Sequence, residues 1–154
     1  MTQTISQRLE AAGIMLPDAA APAANYVPFV KIGDMLHVSG QVPGSPDHMI
    51  CGKLGHDLNV EEGAAAALAC ALNLLGQVRA ACDGDIDRLV RVVKITGFVN
   101  STPDFGDHPR VINGASDFLV DALGEPGRHA RSAVGVAALP FGIAVEIEGI
   151  FQIQ

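Results

Sequence analysis

The sequence predicts an α+β fold, a two-layer sandwich in which helices cover one face of a β-sheet. Alternating apolar residues near both ends of the chain are typical of strands, and two segments between them carry apolar residues at helical spacing. Packing both helices on one sheet buries both sets of apolar residues. The chain has 154 residues, of which 49% are hydrophobic. This length is sufficient for one hydrophobic core and too short for two. After a short N-terminal helix, the predicted order is ββαβαββ.

The first residues predict a helix followed by an extended arm. Residues 6–13 have amphipathic spacing, and Gly13 ends the helix. Residues 16–24 are rich in Pro and Ala, which favours an extended chain. We therefore predict one domain over residues 1–154, in which residues 1–24 form the N-terminal helix and arm.

The next segments predict a β-hairpin and the first long helix. Residues 26–32 and 35–41 alternate in hydrophobicity around a Gly-Asp pair, a pattern typical of a hairpin. Residues 43–55 form a loop rich in Gly, Pro and Asp. The sequence Asn-Val-Glu-Glu at 59–62 has the form of a capping box, and apolar residues at helical spacing follow it until the Asp-Gly pair at 83–84.

The second half predicts a central strand, another helix and two further strands. Residues 89–100 are apolar and β-branched with little charge, as expected of a strand inside a sheet. The sequence Ser-Thr-Pro-Asp at 101–104 predicts the start of the second long helix, with Pro109 in its first turn and Gly124 at its end. The last two strands, at 131–137 and 143–151, are predicted to form a hairpin.

Composition argues against several classes of protein. The net charge is −7 and the sequence pI is near 5.0, which does not favour binding to nucleic acid through phosphate contacts. No apolar run approaches the ~18–20 residues of a membrane helix, and the first residues lack the basic and apolar parts of a signal peptide. The three cysteines have no CxxC spacing, so we expect neither a disulfide framework nor a metal site. A cytoplasmic protein without nucleic-acid or membrane partners is expected.

Strand alternation assigns the remaining side chains to the two faces of the sheet. With Val134 and Val136 under the helices, Arg131 and Ala133 are predicted to share the open face with Glu146. That face also mixes apolar and polar residues, namely Met35, His37, Ser39, Gln41, Gly135, Ala144 and Ile150. We therefore expect a second copy of the chain to cover it. Arg131 is suited to bidentate binding of a carboxylate, and an ion pair with Glu146 at an interface is an equal alternative.

Two motifs resemble the Rid family, also called YjgF-like or endoribonuclease L-PSP. The first is RSAVGVAALP at 131–140, followed by AVEIE at 144–148, and this C-terminal pair is the specific part. The second is VSGQVP at 38–43, and the predicted elements between the motifs fall in the family's order. The resemblance covers about residues 24–152, nearly the whole chain.

The resemblance implies a chorismate-mutase-like fold, a homotrimer, and ligand clefts between subunits. The best understood members of the family hydrolyse reactive enamines and imines, such as 2-aminoacrylate, to 2-oxo acids and ammonia. By the same resemblance, Arg131 binds the substrate carboxylate and Glu146 is the matching glutamate of the last strand; such a carboxylate can act as a base through a water molecule. The other implied contacts with this small carboxylate-bearing substrate come from Tyr26, Ser39, Gly40, Asn113 and the backbone of Ala133. No metal or organic cofactor is implied.

The sequence also departs from the family pattern. Ala133 replaces a frequent cysteine, Gly135 replaces a frequent acidic residue, and the connection at 103–109 is longer, which indicates a divergent subgroup. Two other functions stay open: a trimer that binds a small molecule without turnover, and, with less support, an endoribonuclease. Three histidines receive no role from the sequence: His37, His108 and His129.

Overall fold

The structure, a computed structural model, places a five-stranded sheet under two long helices. It describes residues 2–154, so that Met1, the first residue of the predicted domain, lies outside it. The sheet has the strand order β1-β2-β7-β5-β6, and β3 and β4 form a separate two-stranded ribbon. In chain order the elements are α1 (Ile5–Ala11), β1 (Phe29–Ile32), β2 (Met35–Gln41), β3 (Gly44–Ser45), β4 (His48–Met49), α2 (Val60–Ala81), β5 (Leu89–Asn100), α3 (His108–Leu123), β6 (Ala130–Val136) and β7 (Val145–Ile153). The predicted α+β class is confirmed.

The N-terminal helix is fixed to the body of the protein by hydrogen bonds from two of its residues. Ser6 donates hydrogen bonds to both Asp87 carboxylate oxygens, from its backbone N at 2.7 Å and its hydroxyl at 2.6 Å. Arg8 donates from Nε to the Ala122 carbonyl oxygen near the end of α3. Leu9 of the same helix is buried in the main core. The predicted amphipathic helix therefore docks against α3 and the segment before β5.

The predicted capping box starts α2 as expected. The Asn59 side chain accepts from the Glu62 backbone N at 2.9 Å, and the Glu62 side chain accepts from the Asn59 backbone N at 2.8 Å. The helix is long and apolar enough to span a membrane by composition, a test that core helices of soluble proteins also pass. Here its buried residues, including Ala67, Leu74 and Leu75, belong to the main core. Close contact with α3 is possible because Gly114 packs directly on the Ala64 carbonyl group.

The last two strands do not form the predicted hairpin. β6 pairs with β5 in parallel, and β7 lies on the other side of β5, between β5 and β2. The connection from β6 therefore passes over β5. The sequence prediction was wrong because two neighbouring apolar segments with a short Gly-containing link have the same local pattern whether or not they pair. Helix α3 is the crossover between the parallel strands β5 and β6.

The second long helix also begins later than predicted. Residues 101–104 do not start it; α3 begins at His108, with Asp107 as a cap residue whose side chain makes no capping hydrogen bond to the helix backbone. The physical reason is that Ser101 bridges to Leu54, and the Thr102 backbone N donates to the Leu54 carbonyl oxygen at 3.0 Å. This pairing holds the chain extended beyond β5. The predictions for Pro109 in the first turn and Gly124 at the end are confirmed.

Candidate functional site

The predicted site residues separate into two groups in the single chain. We call Tyr26, Ser39, Gly40 and Glu146 the β2 group, because they surround the end of β2. We call Asn113, Arg131 and Ala133 the β6 group, because they lie on β6 or on the helix above it. The structure brings the members of each group together and does not join the groups to each other.

Arg131, Ala133 and Gly135 lie on the helix face of the sheet and Glu146 lies on the opposite face, which corrects the predicted shared face. In the ladder, Arg131 is opposite Ile95, a fully buried residue under the helices. Glu146 and Val134 are both opposite Phe98, on the open face. The prediction assumed that valines point inward, but β6 is an edge strand and Val134 is 44% exposed. An ion pair between Arg131 and Glu146 of one chain is therefore excluded.

A second correction concerns the end of β2, where the strand changes register. The pairing with β7 shifts between Val38 and Gln41, a β-bulge, and Gln41 is then opposite the buried Ile147. Gln41 is therefore buried on the helix face and does not lie on the predicted open face. The bulge turns Gly40 toward Glu146. This local irregularity assembles the β2 group.

Two groups on α3 hold the Arg131 side chain. Nη1 donates to the Ser116 hydroxyl and Nη2 to the Pro109 carbonyl oxygen, both at 3.1 Å. Positions 109, 113 and 116 share one helical face, so Asn113 lies between the two contacts. Among residues 2–154, no carboxylate forms an ion pair with Arg131. A guanidinium has five N–H donors, and those that remain are available to an anion.

A chain of hydrogen bonds continues from Arg131 to His129. The Ser116 hydroxyl lies 2.9 Å from His129 Nε2, and His129 Nδ1 lies 2.6 Å from the Gly127 carbonyl oxygen. Since that carbonyl can only accept, Nδ1 carries the proton and Nε2 accepts from the hydroxyl. Burial, together with the charge of Arg131, lowers the pKa of His129, although the Gly127 contact opposes the shift. These hydrogen bonds therefore orient the Ser116 hydroxyl so that its oxygen faces the Arg131 guanidinium.

In the β2 group, the Glu146 carboxylate lies directly over Gly40. Any side chain at position 40 would overlap with the Glu146 carboxylate oxygen. Burial, with a smaller contribution from the charge of Glu148, raises the pKa of Glu146 above its ordinary value of 4.5. A carboxylate with a raised pKa is a better proton acceptor near neutral pH.

A cavity of about 280 Å³ adjoins this group. Tyr26 and Gly40 line it, together with Met49 and Phe141. Ser39 fixes the segment next to Tyr26, because its hydroxyl donates to the Val27 carbonyl oxygen at 2.7 Å. Within residues 2–154, the structure has no group of three His, Cys, Asp or Glu side chains that could hold a metal ion. The β2 group can therefore offer an acid–base carboxylate beside a mostly apolar cavity.

Sequence reasoning missed Ser116 and left His129 without a role. Ser116 is seven residues after Pro109, and that helical spacing was the available signal. The contact between Ser116 and His129 joins α3 to the loop before β6, and no local pattern predicts it.

Comparison with known proteins gives the same family as the motifs. Residues 6–146 match the family model described as "YjgF/chorismate_mutase-like, putative endoribonuclease". Protein TCP17 of Trypanosoma cruzi is 52% identical, over 97% of this chain and 94% of its own length. The crystal structure of Atu1372 from Agrobacterium tumefaciens has a TM-score of 0.88 and 47% identity, over 98% of this chain and 94% of that one. A 2-iminobutanoate/2-iminopropanoate deaminase of Dermatophagoides farinae is 26% identical, over 92% and 95% of the two chains. The chain therefore belongs to the Rid/YjgF family.

Proposed function

We propose that this protein hydrolyses reactive enamines or imines of 2-oxo acids, releasing the 2-oxo acid and ammonia. The observation that carries the proposal is Arg131, held in place by two contacts on α3 and without a carboxylate partner in residues 2–154. A positioned guanidinium with free N–H donors suits a carboxylate. The deaminase relative from Dermatophagoides farinae supports the choice of reaction.

We propose further that the site is completed between subunits of a homotrimer. The β6 group offers an anion anchor and the β2 group offers a carboxylate base, and they lie on opposite faces of one chain. A neighbouring copy can bring its β2 group to the β6 group of the first. Val134 and other apolar residues on the open face, such as Ile150, give that copy a surface to pack on.

In this mechanism, Arg131 binds the carboxylate and fixes the imine carbon next to it. Glu146 accepts a proton from a water molecule, whose oxygen adds to that carbon, and the same proton passes on to the imine nitrogen. In the resulting carbinolamine, Glu146 moves the hydroxyl proton to the amino nitrogen; the C–N bond then breaks, ammonia leaves, and the carbon–oxygen double bond of the 2-oxo acid forms. Because such imines already react with water, orientation supplies most of the acceleration that the site needs. Tyr26 closes the cavity beside the base.

The test is incubation with freshly generated 2-aminoacrylate, with oxo acid formation compared with the rate in buffer. Arg131→Ala removes a charge-assisted contact of about 1.5–3 kcal/mol, so we expect affinity for 2-oxobutyrate to fall about ten- to one-hundred-fold. Arg131→Lys restores only part of it, because an ammonium lacks the two-pronged geometry. Arg128→Ala is the matched control, since Arg128 is exposed and pairs only with Glu125 among the described ion pairs.

Each outcome decides between the proposal and its alternatives. Acceleration that Arg131→Ala abolishes and Arg128→Ala preserves supports hydrolysis. Arg131-dependent binding of 2-oxobutyrate without acceleration indicates a ligand-binding trimer instead. Unchanged affinity in Arg131→Ala overturns the anchor. RNA cleavage by the pure protein would indicate the endoribonuclease alternative, which the net charge of −7 does not favour.

A further inference from the structure

A second cavity, of about 350 Å³, lies on the helix face at the carboxyl ends of the parallel strands β5 and β6. Its wall contains a serine–histidine pair that the proposed mechanism does not use. The Ser101 hydroxyl oxygen lies 3.1 Å from His108 Nε2. Phe105 packs its ring against the imidazole at 87°, with 5.2 Å between the centroids. The histidine ring is therefore held in one orientation over the serine.

Gly135 is what makes room for this pair. A Cβ atom at position 135 would overlap with His108 Nε2 and would lie 2.7 Å from the Ser101 hydroxyl oxygen. The strand conformation of Gly135 is open to any residue, so the close approach of the pair is the reason for a glycine here. Position 135, where the family frequently has an acidic residue, is thus adapted to Ser101 and His108.

The polar groups around this cavity suit an anion. With the proton on His108 Nε2, the imidazole donates to the Ser101 oxygen, and the serine hydroxyl hydrogen is left to donate to an anion. The Lys53 ammonium donates to Asn100 Oδ1 and to the carbonyl oxygen of Ala137, a residue of the cavity wall. None of the described residues that line the cavity is acidic. A negatively charged group would find hydrogen-bond partners and a nearby cation there.

The position relative to Arg131 decides what the pair can contact. Arg131 and Gly135 are on the same face of β6, four residues apart, which is about 13 Å along a strand. The guanidinium leans toward the pair, since its Nη2 contacts the Pro109 carbonyl oxygen next to His108. The reacting carbon of the imine is bonded to the carboxylate at Arg131, so only a group further along the substrate can extend toward Ser101 and His108.

We propose that this cavity binds a second carboxylate at the far end of the substrate, so that the protein acts on imines of dicarboxylic 2-oxo acids. The inference rests on the proposed function, because Arg131 must hold the first carboxylate. Ser101 and His108 are its specificity-determining residues, and Gly135 is a positioning residue that leaves them space.

The test compares the binding of 2-oxoglutarate and 2-oxobutyrate by calorimetry. We expect 2-oxoglutarate to bind about tenfold more tightly, because it makes an added charge-assisted contact. Ser101→Ala, His108→Gln and Gly135→Ala are each expected to reduce this ratio toward one. Arg128→Ala should leave it unchanged. Resonances of the His108 ring should shift with 2-oxoglutarate and much less with 2-oxobutyrate, which gives a readout in the unmodified protein.

The outcomes separate this inference from the proposed function. Equal affinity for the two oxo acids, with 2-oxobutyrate binding still dependent on Arg131, overturns the second-carboxylate site and leaves the function standing. If neither oxo acid binds in an Arg131-dependent way, both proposals fall. A tenfold preference that survives all three substitutions places the second carboxylate elsewhere and contradicts the inference.

Discussion

Replacing Gly114 by alanine tests the packing that positions the Arg131 anchor. Gly114 is in the middle of α3, between Asn113 and the Ser116 that contacts Arg131. An added methyl would lie well inside 3.0 Å of the Ala64 carbonyl oxygen on α2. The methyl is attached rigidly to the α3 backbone and the oxygen belongs to the α2 backbone, so neither can rotate away, and the two helices must separate.

The expected magnitude follows from two opposing terms. Alanine in place of a helical glycine stabilises by about 0.5–1 kcal/mol. Forced overlap in a packed region costs about 1–3 kcal/mol, and a backbone-to-backbone overlap belongs at the upper end. We therefore expect a net loss of about 2 kcal/mol in the free energy of unfolding. At this chain length, that corresponds to a fall of about 4–8 °C in Tm.

Urea unfolding of Gly114→Ala beside Gly63→Ala measures the effect with a matched control. Gly63 is a buried glycine of α2 that faces neighbouring elements. A methyl at this position would meet the ends of side chains, the nearest atom being Leu54 Cδ1 at 2.7 Å. Those ends can move, so the control should stay within about 1 kcal/mol of the unmodified protein. A Gly114→Ala midpoint equal to or above that of Gly63→Ala would refute the reasoning. Weaker 2-oxobutyrate binding should accompany the lower midpoint.

Three further predictions concern stability. The pKa of His129 is lowered in the folded state, so the unfolded chain binds a proton at this residue more readily, and the free energy of unfolding should fall as pH drops below 6.5. In urea titrations, His129→Gln should make stability less dependent on pH in this range. The pKa of Glu146 is raised above 4.5 in the folded state, so the folded protein keeps this proton to a higher pH than the unfolded chain does, and stability should fall as pH rises through the raised value. Glu146→Gln should therefore have a higher urea midpoint than the unmodified protein at neutral pH. An unchanged midpoint would contradict this. Asn59→Ala removes the side-chain contact to Glu62 at the start of α2 and should destabilise by about 1 kcal/mol in the same assay, whereas Asn59→Gly should cost only a few tenths.

Local chemistry explains which parts of the fold could be predicted. The cap at Asn59 and Glu62 depends on residues three apart, so the sequence contains the whole interaction. The stop at Gly124 is similar, because its φ of 76° is a conformation that glycine adopts without strain. The predicted start of α3 was wrong for the opposite reason: Leu54, which is far away in sequence, holds residues 101 and 102 in an extended conformation.

The candidate site shows the same division between local and distant interactions. The motifs selected Arg131 and Glu146 as residues, but hydrophobic alternation placed Arg131 on the wrong face. β6 is an edge strand, paired only with β5, so apolar residues such as valine can lie on its exposed face. In such a strand, hydrophobic alternation does not identify the buried face. The contact between Ser116 and Arg131 and the contact between Ser101 and His108 both depend on how α3 crosses back over the sheet. No spacing within a single segment contains that information.

The edge position of β6 has a consequence for the motions of this protein. A strand bonded along one side only can detach without disturbing the rest of the sheet, so its amide hydrogens should exchange with solvent sooner than those of β5 and β7. Arg131 therefore stands on one of the two edge strands of the sheet, where the backbone opens more readily than in the central strands. A bound anion, joined through the guanidinium to α3, ties this strand to the helix above it. Slower amide exchange along β6 on adding an oxo acid would then report occupancy of the anchor directly, without any turnover.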